Sequence, residues 1–479
     1  MASVLDVISR KKIEMIDRTS KDILIKIGLR INNKKIQDML YSHGAKVNGD
    51  VVKFNEDLIE KGLTNINGEY SLYGRNLKKA ANLTDGNFSF LSTAGQHAII
   101  DHLRAERRAP ILEDLIQGAR LADALENIDI VGAFVVPNNI EVKKRDVMSA
   151  YNLLKNTEKP IALWINNGNS AKKIISMFEA VRGSSQKLKK YPICFAFIEA
   201  ISPLQYTGES LDVLYEFAKK GLPLGFGPMA MTFATAPGTL AGTLAVENAE
   251  IIAGIIIARI INPGVPVCYW GIQHILDNQT GNISFGSPEQ VLMALASIQL
   301  AKYYRVPVGT NTGITDAIFP DSQSGTEKGI TACLALLAGC NIFGHQGIAG
   351  ADQGASLVQL FIDNETIGYI KRIRKGFEVS EATLLFDEID EIGIGGNYLA
   401  SDSTFKNFKK EVWFPGLFER KNWENWKKDN KDIVRNAWEG VEKKLEGFKE
   451  KEERYLFGPD VGKELADIID DKNTAIERR

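Results

Sequence analysis

The sequence contains few of the residues that bind metals or form disulfides. Its 479 residues include four cysteines and five histidines. The cysteines are scattered with no CxxC pair, and the histidines show no metal-ligand spacing. We therefore expect no metal site, and buried free thiols in a reducing, cytoplasmic environment.

Net charge and long apolar runs are lacking as well. The formal net charge is -2, which gives no support for a nucleic-acid partner. No apolar run reaches the roughly 18 residues of a membrane span, and the first residues lack an apolar core followed by a small-residue cleavage site. Hydrophobic residues make up 44% of the chain and charged residues 25%, the balance of a globular protein with a large core.

The nucleotide-binding motifs are missing, and the dominant pattern is an alternation of apolar runs with helical segments. No GxGxxG follows the first predicted strand, and GxxxxGK[ST] does not occur. The predicted strands are Phe88–Leu91, Ile128–Val136, Ile161–Ile165, Ile193–Ile198, Leu222–Phe226, Val265–Trp270, Val306–Gly309 and Asn341–Gly344. Eight strands alternating with helices over about 300 residues indicate an α/β fold, the (β/α)8 TIM barrel, with a doubly wound open sheet as the alternative.

The composition divides the chain into three parts. Residues 1–87 are predicted to form an N-terminal helical cap region with a small hairpin near NGEYSLYGRN. Residues 88–386 form the predicted barrel. Residues 387–479 form a C-terminal helical region rich in Lys, Glu and Trp, whose final residues, DDKNTAIERR, are predicted to be disordered.

The stretch from Gly221 to Trp270 is the one around which the chain is organised. It reads as strand, loop, helix, turn and strand, with Thr235 or Thr239 as the helix cap. The helix up to Ile261 is apolar nearly all round, so we expect it to be packed between a sheet and another layer. The loop before it carries methionines, a phenylalanine and no charge, which favours an apolar or cationic guest.

Aromatic and amide side chains follow several predicted strands, where a barrel places its functional residues. The candidate substrate-binding residues are Phe233, Trp270, Tyr269, Phe226, Gln96, His97, Asn311 and Phe343. The aromatic ones can form a cage for a quaternary ammonium, which gains up to about 2 kcal/mol over aromatic faces when desolvated. Plain core packing at the barrel mouth is the alternative for each of them.

Charged and acid–base residues are sparse at the same strand ends. The candidate catalytic residues are His345, Gln346, Glu199 and Asp316. Glu199 and Asp316 are the one pair available for two-carboxylate glycosidase chemistry, and no strand run carries a Schiff-base lysine. The residues at the strand ends are polar but mostly uncharged, and a lyase or hydrolase using Glu199, Asp316 and His345 stays open.

Several stretches resemble the trimethylamine methyltransferase family of corrinoid-dependent enzymes. They are RRAPILEDLIQGARLADALENID at Arg107–Asp129, TAPGTLAGTLAVENAEIIAG at Thr235–Gly254, NPGVPVCYWG at Asn262–Gly271, GSPEQVLMALASIQLAKYYRVP at Gly286–Pro307 and FKNFKKEVWFPGLFER at Phe405–Arg420. The resemblance implies a (β/α)8 barrel with helical additions. The founding member carries pyrrolysine at the barrel mouth, and this chain has only standard residues, so the resemblance points to the branch acting on quaternary amines such as glycine betaine.

The resemblance also implies the cofactor and the partners. The methyl acceptor is a corrinoid, a Co(I) cobamide carried by a separate corrinoid protein, and no cofactor is bound permanently. The chain has no DxHxxG corrinoid motif of its own. His345 and Gln346 are predicted to bind the carboxylate of a betaine. A non-catalytic betaine-binding barrel is the further alternative, and the oligomeric state, including a homo-oligomer, stays open.

Overall fold

The structure, a computed structural model, describes residues 5–66, 68–78, 80–429, 431–450, 453 and 456–470. The predicted disorder of the final residues concerns positions that lie outside this part of the chain, apart from Asp470. Among the described residues, no helix has both the length and the apolar character that crossing a bilayer requires.

Eight parallel segments form the centre of the molecule, and we number them β1 to β8. They are Ser89–Ser92, Val131–Gly132, Ile161–Ala162, Ala196–Ile198, Leu224–Phe226, Val267–Gly271, Val308–Thr310 and Ile342–Gln346. Six of them form one parallel sheet in the order β4-β5-β6-β7-β8-β1. Each lies within or beside a predicted strand, so the prediction of parallel strands in an α/β fold is confirmed.

The pairing of β2 and β3 is less regular than predicted. These two segments pair with each other over two residues and form no continuous ladder with the six-stranded sheet. One reason is visible at β1, where the Ser92 hydroxyl accepts the Gly132 N–H at 2.8 Å and so replaces a backbone partner. Backbone bonds nevertheless join the groups, among them those from Ser92 N to Ile130 O at 3.1 Å and from Ile161 N to Ile193 O at 3.1 Å.

Eight helices, α1 to α8, each follow one of these strands. They are Leu112–Ala124, Arg145–Asn156, Gly168–Arg182, Gly208–Lys220, Leu240–Ile261, Pro288–Tyr304, Ser322–Ala338 and Leu357–Lys375. The helix α5 begins after Thr239, whose hydroxyl accepts the Gly242 N–H, so one of the two predicted caps is the actual one. It is buried along most of its length between the sheet and the N-terminal helices, as its all-round apolar sequence predicts.

The N-terminal region contributes three helices, Arg10–Asp22, Lys34–Ser42 and Glu56–Leu63, with one π-helical turn at Ile23–Ile27. Its strands are Leu29–Ile31, Lys46–Asn48, Val51–Lys53, Tyr70–Tyr73 and Ala80–Leu83. The last two form the predicted hairpin. Leu72 and Leu83 of this hairpin belong to the same buried cluster as Ile130, Ala162 and Ile342, so the hairpin packs against the interior of the strand array.

Further short strands lie in the loops, and the C-terminal part is helical. The short strands are Ile99–Asp101, Glu106–Arg108, Gln205–Tyr206, Met231–Thr232, His274–Leu276, Ile283–Ser284, Ile348–Ala349 and Gly354–Ala355, with a 3-10 turn at Val142–Lys144. The C-terminal helices are Glu381–Leu384, Phe386–Ile392, Asp402–Glu411, Trp423–Asp429, Ile433–Lys449 and Pro459–Ile469. Ile433–Lys449 packs on α8 and α1, and Pro459–Ile469 packs on α3.

Candidate active site

A cavity of about 180 Å³ opens at the carboxyl ends of the parallel strands. It is lined by Ala94, Gly95, Gln96, His97, Trp164, Phe197, Met229, Ile272, Phe285, Asn311, Ile314, His345 and Asp352. A narrower space continues inward between Trp164, Phe197, Trp270 and His345. The position matches the place where barrel-type α/β proteins bind their ligands.

Three aromatic side chains form one wall of this space. The ring of Trp164 meets that of Phe197 edge to face at 5.0 Å, and Phe197 meets Trp270 edge to face at 5.4 Å. Trp164 is fixed by its Nε1–H, which donates to Ala94 O at 3.0 Å. Interlocked rings of this kind present their negative faces and can hold a desolvated cation.

Glycines on three neighbouring strands make room for the Trp270 indole. A methyl group built at Gly309 on β7 would overlap the ring, 2.6 Å from Cε3 and closer still to Cδ2 and Cε2. Methyl groups at Gly225 on β5 and Gly344 on β8 would lie 2.8 Å from Nε1 and 3.2 Å from Cζ3. The buried indole therefore occupies space that only glycine leaves free, and it is the part of the aromatic wall that forms the floor of the narrower inner space.

His345 lies in a strained part of β8. Its φ is +67°, in the left-handed region that residues other than glycine rarely adopt, and the pairing of β8 with β1 shifts register between Phe343 and Gln346. The irregularity turns the imidazole into the cavity, where Nδ1 has no hydrogen-bond partner among the described residues. Burial lowers the pKa of His345 to about 4, so the ring is neutral near pH 7.

Asp352 lines the cavity and Glu199 lies near it, and we call these two carboxyl groups the carboxyl rim. Asp352, in the loop between β8 and α8, accepts from Gln96 Nε2 at 2.6 Å. Burial raises the pKa of Glu199, at the end of β4, to about 7, and the negative charge of Asp352 adds to this shift. Burial also raises the pKa of Asp352, whereas the bond from Gln96 and the nearby His97 lower it. This rim carries negative charge that a bound cation would stabilise.

The remaining amide predicted at the cavity is also present there. Asn311, after β7, is buried, lines the cavity, and has an Oδ1 without a hydrogen-bond partner among the described residues. The structure thus brings together Gln96, His97, Asn311 and His345 in one cavity, with Trp270 as its inner floor and Glu199 close to Asp352.

Three predicted aromatic residues point away from the cavity, which corrects their proposed role. Successive residues of a strand face opposite sides, so Tyr269 faces outward when Trp270 faces inward. The Tyr269 hydroxyl donates to Asn248 Oδ1 on α5 at 3.1 Å. Phe226 packs against Gly254 of α5. The ring of Phe343 stacks on that of Phe90 with their centroids 4.5 Å apart, within the main hydrophobic core.

Three further predicted residues lie elsewhere. Phe233, in a left-handed conformation, and Asp316 line an outer groove beside the strand Ile283–Ser284. The Asp316 carboxylate accepts from Ser284 Oγ and Phe285 N, which ties that strand to the loop after β7. The buried Gln346 amide donates to Gly344 O at 3.1 Å and does not line the cavity. Glu199, Asp316 and His345 therefore do not share one cavity, which removes support for the lyase or hydrolase alternative.

Sequence reasoning missed Trp164, Phe197 and Asp352. The first two lie inside predicted strands, and they face inward by the same alternation that turns Trp270 inward. Asp352 is the single charged residue between Gly347 and Ser356, and that isolation in a glycine-rich loop was the available signal. Among the described residues, no group of three or more His, Cys, Asp or Glu side chains is arranged to hold a metal ion.

Curated relatives match most of the length of the chain. It is 29% identical over 434 residues to a glycine betaine methyltransferase of Desulfitobacterium hafniense, with 90% of each chain covered. It is 27% identical to a proline betaine:corrinoid methyltransferase of Eubacterium limosum, with 96% of each covered. A trimethylamine methyltransferase of Methanosarcina barkeri is 28% identical, with 98% of this chain and 96% of the relative covered.

Solved structures support the fold. The hydroxylamine complex of MtmB superimposes with a TM-score of 0.54 at 14% identity, covering 93% of this chain and 90% of that one. The Methanosarcina barkeri monomethylamine methyltransferase MtmB gives a TM-score of 0.51 at 14% identity, with 91% and 87% covered. A sequence model of the trimethylamine methyltransferase (MTTB) family matches residues 1–477. This chain therefore belongs to the trimethylamine methyltransferase family.

Proposed function

We propose that the protein transfers a methyl group from a quaternary amine, with glycine betaine as the first candidate, to the Co(I) corrinoid of a separate corrinoid protein. The observation that carries the proposal is the strand-end cavity, which is lined by the aromatic wall and by the Asp352 carboxyl group. The names of the glycine betaine and proline betaine methyltransferases among the relatives support the same substrate class.

The cavity offers partners for both charges of a betaine. The ammonium fits between the aromatic wall and the rim of Glu199 and Asp352, because cation–π and ionic attraction act on the same desolvated group. The substrate carboxylate needs donors, since burying it without them is costly. His345 and Asn311 supply neutral donors in this proposal, and Gln346 does not, because its amide is committed to the backbone.

The reaction requires positioning more than acid–base catalysis. A quaternary ammonium leaves as a neutral tertiary amine, so no protein group has to protonate it. The corrinoid supplies the nucleophile when its carrier protein docks at the open end of the cavity. This chain's own contribution is to hold the nitrogen and the reacting methyl group in line and to exclude water, which together can remove several kcal/mol from a barrier.

The proposal includes a closed (β/α)8 barrel and the three-part organisation 1–87, 88–386 and 387–479. The backbone bonds that join β1 to Ile130 and β3 to Ile193 support closure on both sides of the two-stranded pair. The structural likeness to MtmB supports the same fold class. A cytoplasmic location is also part of the proposal, and the four unpaired cysteines suit a reducing compartment.

The test is an assay of cob(I)alamin methylation, which is monitored through the absorbance change of the corrinoid. The candidate methyl donors are glycine betaine, proline betaine, carnitine, choline and trimethylamine. Trp164→Ala should raise the apparent KM for the preferred amine about tenfold, or about 1.4 kcal/mol. Phe233→Ala is the matched control, because Phe233 lies in the outer groove, and its KM should change less than twofold. The absence of cobalt methylation with every amine contradicts the proposed activity. Binding of betaine without turnover supports a sensor instead.

A further inference from the structure

The segment from residue 376 to 411, which we call the arm, has no core of its own. Every residue from 376 to 420 is described, and none of them is buried. The arm nevertheless contains three helices, Glu381–Leu384, Phe386–Ile392 and Asp402–Glu411. Helices this short are not stable in water without tertiary packing, so the arm needs a surface to pack against.

The arm exposes large apolar side chains along its whole length. The six most exposed are Phe377, Val379, Phe386, Ile394, Leu399 and Phe405, of which Phe405 is 90% and Phe377 79% exposed. A large aromatic side chain buries roughly 150–250 Å² when it is covered. These six together therefore offer on the order of 800 Å², the area that each partner contributes to a stable protein interface.

The arm lies at the end of the molecule opposite the cavity. The helix α8 starts at Leu357, just after the carboxyl end of β8, and its 19 residues carry the chain roughly 28 Å away before the arm begins. The last residue of the arm is also held beside the C-terminal end of α8, because Arg372 Nη2 donates to Glu411 O at 2.7 Å. Both ends of the arm are thus held roughly 28 Å from the strand ends, away from the opening at which a corrinoid protein would dock.

The charges of the arm are complementary to those of another copy of itself. Phe386–Ile392 carries Asp387, Glu388, Asp390 and Glu391 and no basic residue. Asp402–Glu411 carries Lys406, Lys409 and Lys410 against its own Asp402 and Glu411, which leaves this helix weakly basic. A two-fold axis brings the acidic helix of one copy against the basic helix of the other, the self-complementary arrangement of an isologous dimer. Exposed apolar area of this size marks an interaction surface, and a second copy is always present when the chain is made.

We propose that the arm is the surface through which this protein assembles with a second copy of itself. The apolar side chains of the arm pack against the partner's arm, and the acidic and basic helices fix the two-fold register. This inference does not depend on the methyl-transfer chemistry, because the cavity and the arm lie at opposite ends of α8.

Light scattering coupled to size-exclusion chromatography of the full chain tests the proposal. The wild type should have at least twice the mass of one chain at micromolar concentration. Phe386→Asp combined with Phe405→Asp should lower the mass by a factor of two, whereas Tyr41→Asp, which changes an aromatic residue that is 69% exposed outside the arm, should leave it unchanged. A monomeric wild type, or a double variant that keeps the wild-type mass, overturns the proposal.

A labelling experiment avoids any variant that disrupts assembly or folding. Leu399→Cys should react with a maleimide at least tenfold more slowly than Tyr41→Cys, although Leu399 is more exposed in the single chain. Dilution or mild denaturant that separates the copies should remove the difference. Equal labelling rates of the two variants in the native protein show that the arm is uncovered and contradict the proposal.

Discussion

Gly309→Ala tests whether Trp270 forms the floor of the narrower inner space. The added methyl group would overlap the indole, 2.6 Å from Cε3 and nearer to two other ring atoms, and the ring is enclosed by Phe195, Phe197 and other glycines. Because the indole has no free space to occupy, either β7 or the ring must move. Overpacking of this kind typically costs 1–3 kcal/mol of folding free energy.

Two measurements follow the change. Thermal unfolding monitored by circular dichroism should show a midpoint several degrees lower, and the cobalamin assay should show a higher KM for the amine because the aromatic wall is displaced. Gly325→Ala on α7 is the control: no atom lies within 4 Å of the new methyl group, so the substitution should be neutral or slightly stabilising.

A double-mutant cycle separates the specific clash from a general effect on β7. In a Trp270→Leu background the methyl group at residue 309 meets a smaller side chain, so the further loss caused by Gly309→Ala should fall below about 1 kcal/mol. If Gly309→Ala costs as much with leucine as with tryptophan at position 270, the glycine does not serve the indole and the reasoning is refuted.

Three further predictions concern His345, Glu199 and Asp363. His345→Ala should lower kcat/KM for betaine by an amount equivalent to about 1.5–3 kcal/mol of transition-state stabilisation, and it should lower kcat/KM for choline much less. Equal losses for the two substrates would show that the histidine serves the fold or the methyl transfer. The pKa of Glu199 is raised from 4.5 to about 7, so the stability that its bound proton contributes is present at low pH and is lost as the pH rises through 7. KM for a cationic substrate should fall over the same pH range, because Glu199 becomes negatively charged. Both pH dependences should weaken in Glu199→Gln, and an unchanged pH profile in that variant contradicts the prediction. Asp363→Ala removes the carboxylate that binds the buried Lys328 Nζ at 2.9 Å and also accepts from Gly347 N. The free energy of unfolding, measured by denaturant titration, should fall by about 3–5 kcal/mol because a buried charge is left unpaired. A loss below about 1 kcal/mol would show that the ion pair is dispensable.

Local sequence patterns determined the order of elements in this protein. Apolar runs bounded by Gly, Pro and Asn predicted a strand near each of the eight parallel segments, because buried parallel strands need continuous apolar stretches. The cap of α5 at Thr239 followed from the same local chemistry, since a hydroxyl must satisfy the first free N–H groups. The irregular pairing at Gly132 did not follow, because it depends on a Ser92 hydroxyl about 40 residues away.

The candidate site was predicted only in part. The strand ends correctly placed Gln96, His97, Asn311 and His345 at one cavity, since parallel strands end at a common edge. Listing adjacent residues such as Tyr269 and Trp270 together ignored the alternation of strand faces. That rule keeps adjacent residues off the same face, but it does not say which face turns inward, so Trp164 and Phe197 could not be chosen by it alone.

The sequence by itself determined the family, the alternation of strands and helices, and the scarcity of acid–base residues at the strand ends. These depend on neighbouring residues and on periodicity, which a linear chain carries in full. Only the tertiary structure decided that three strands use glycine to admit one indole, that Asp352 is held by Gln96 beside Glu199, and that the arm is left without a core. Each of these depends on distances between residues far apart in the chain, and those distances exist only after the strands and helices have packed.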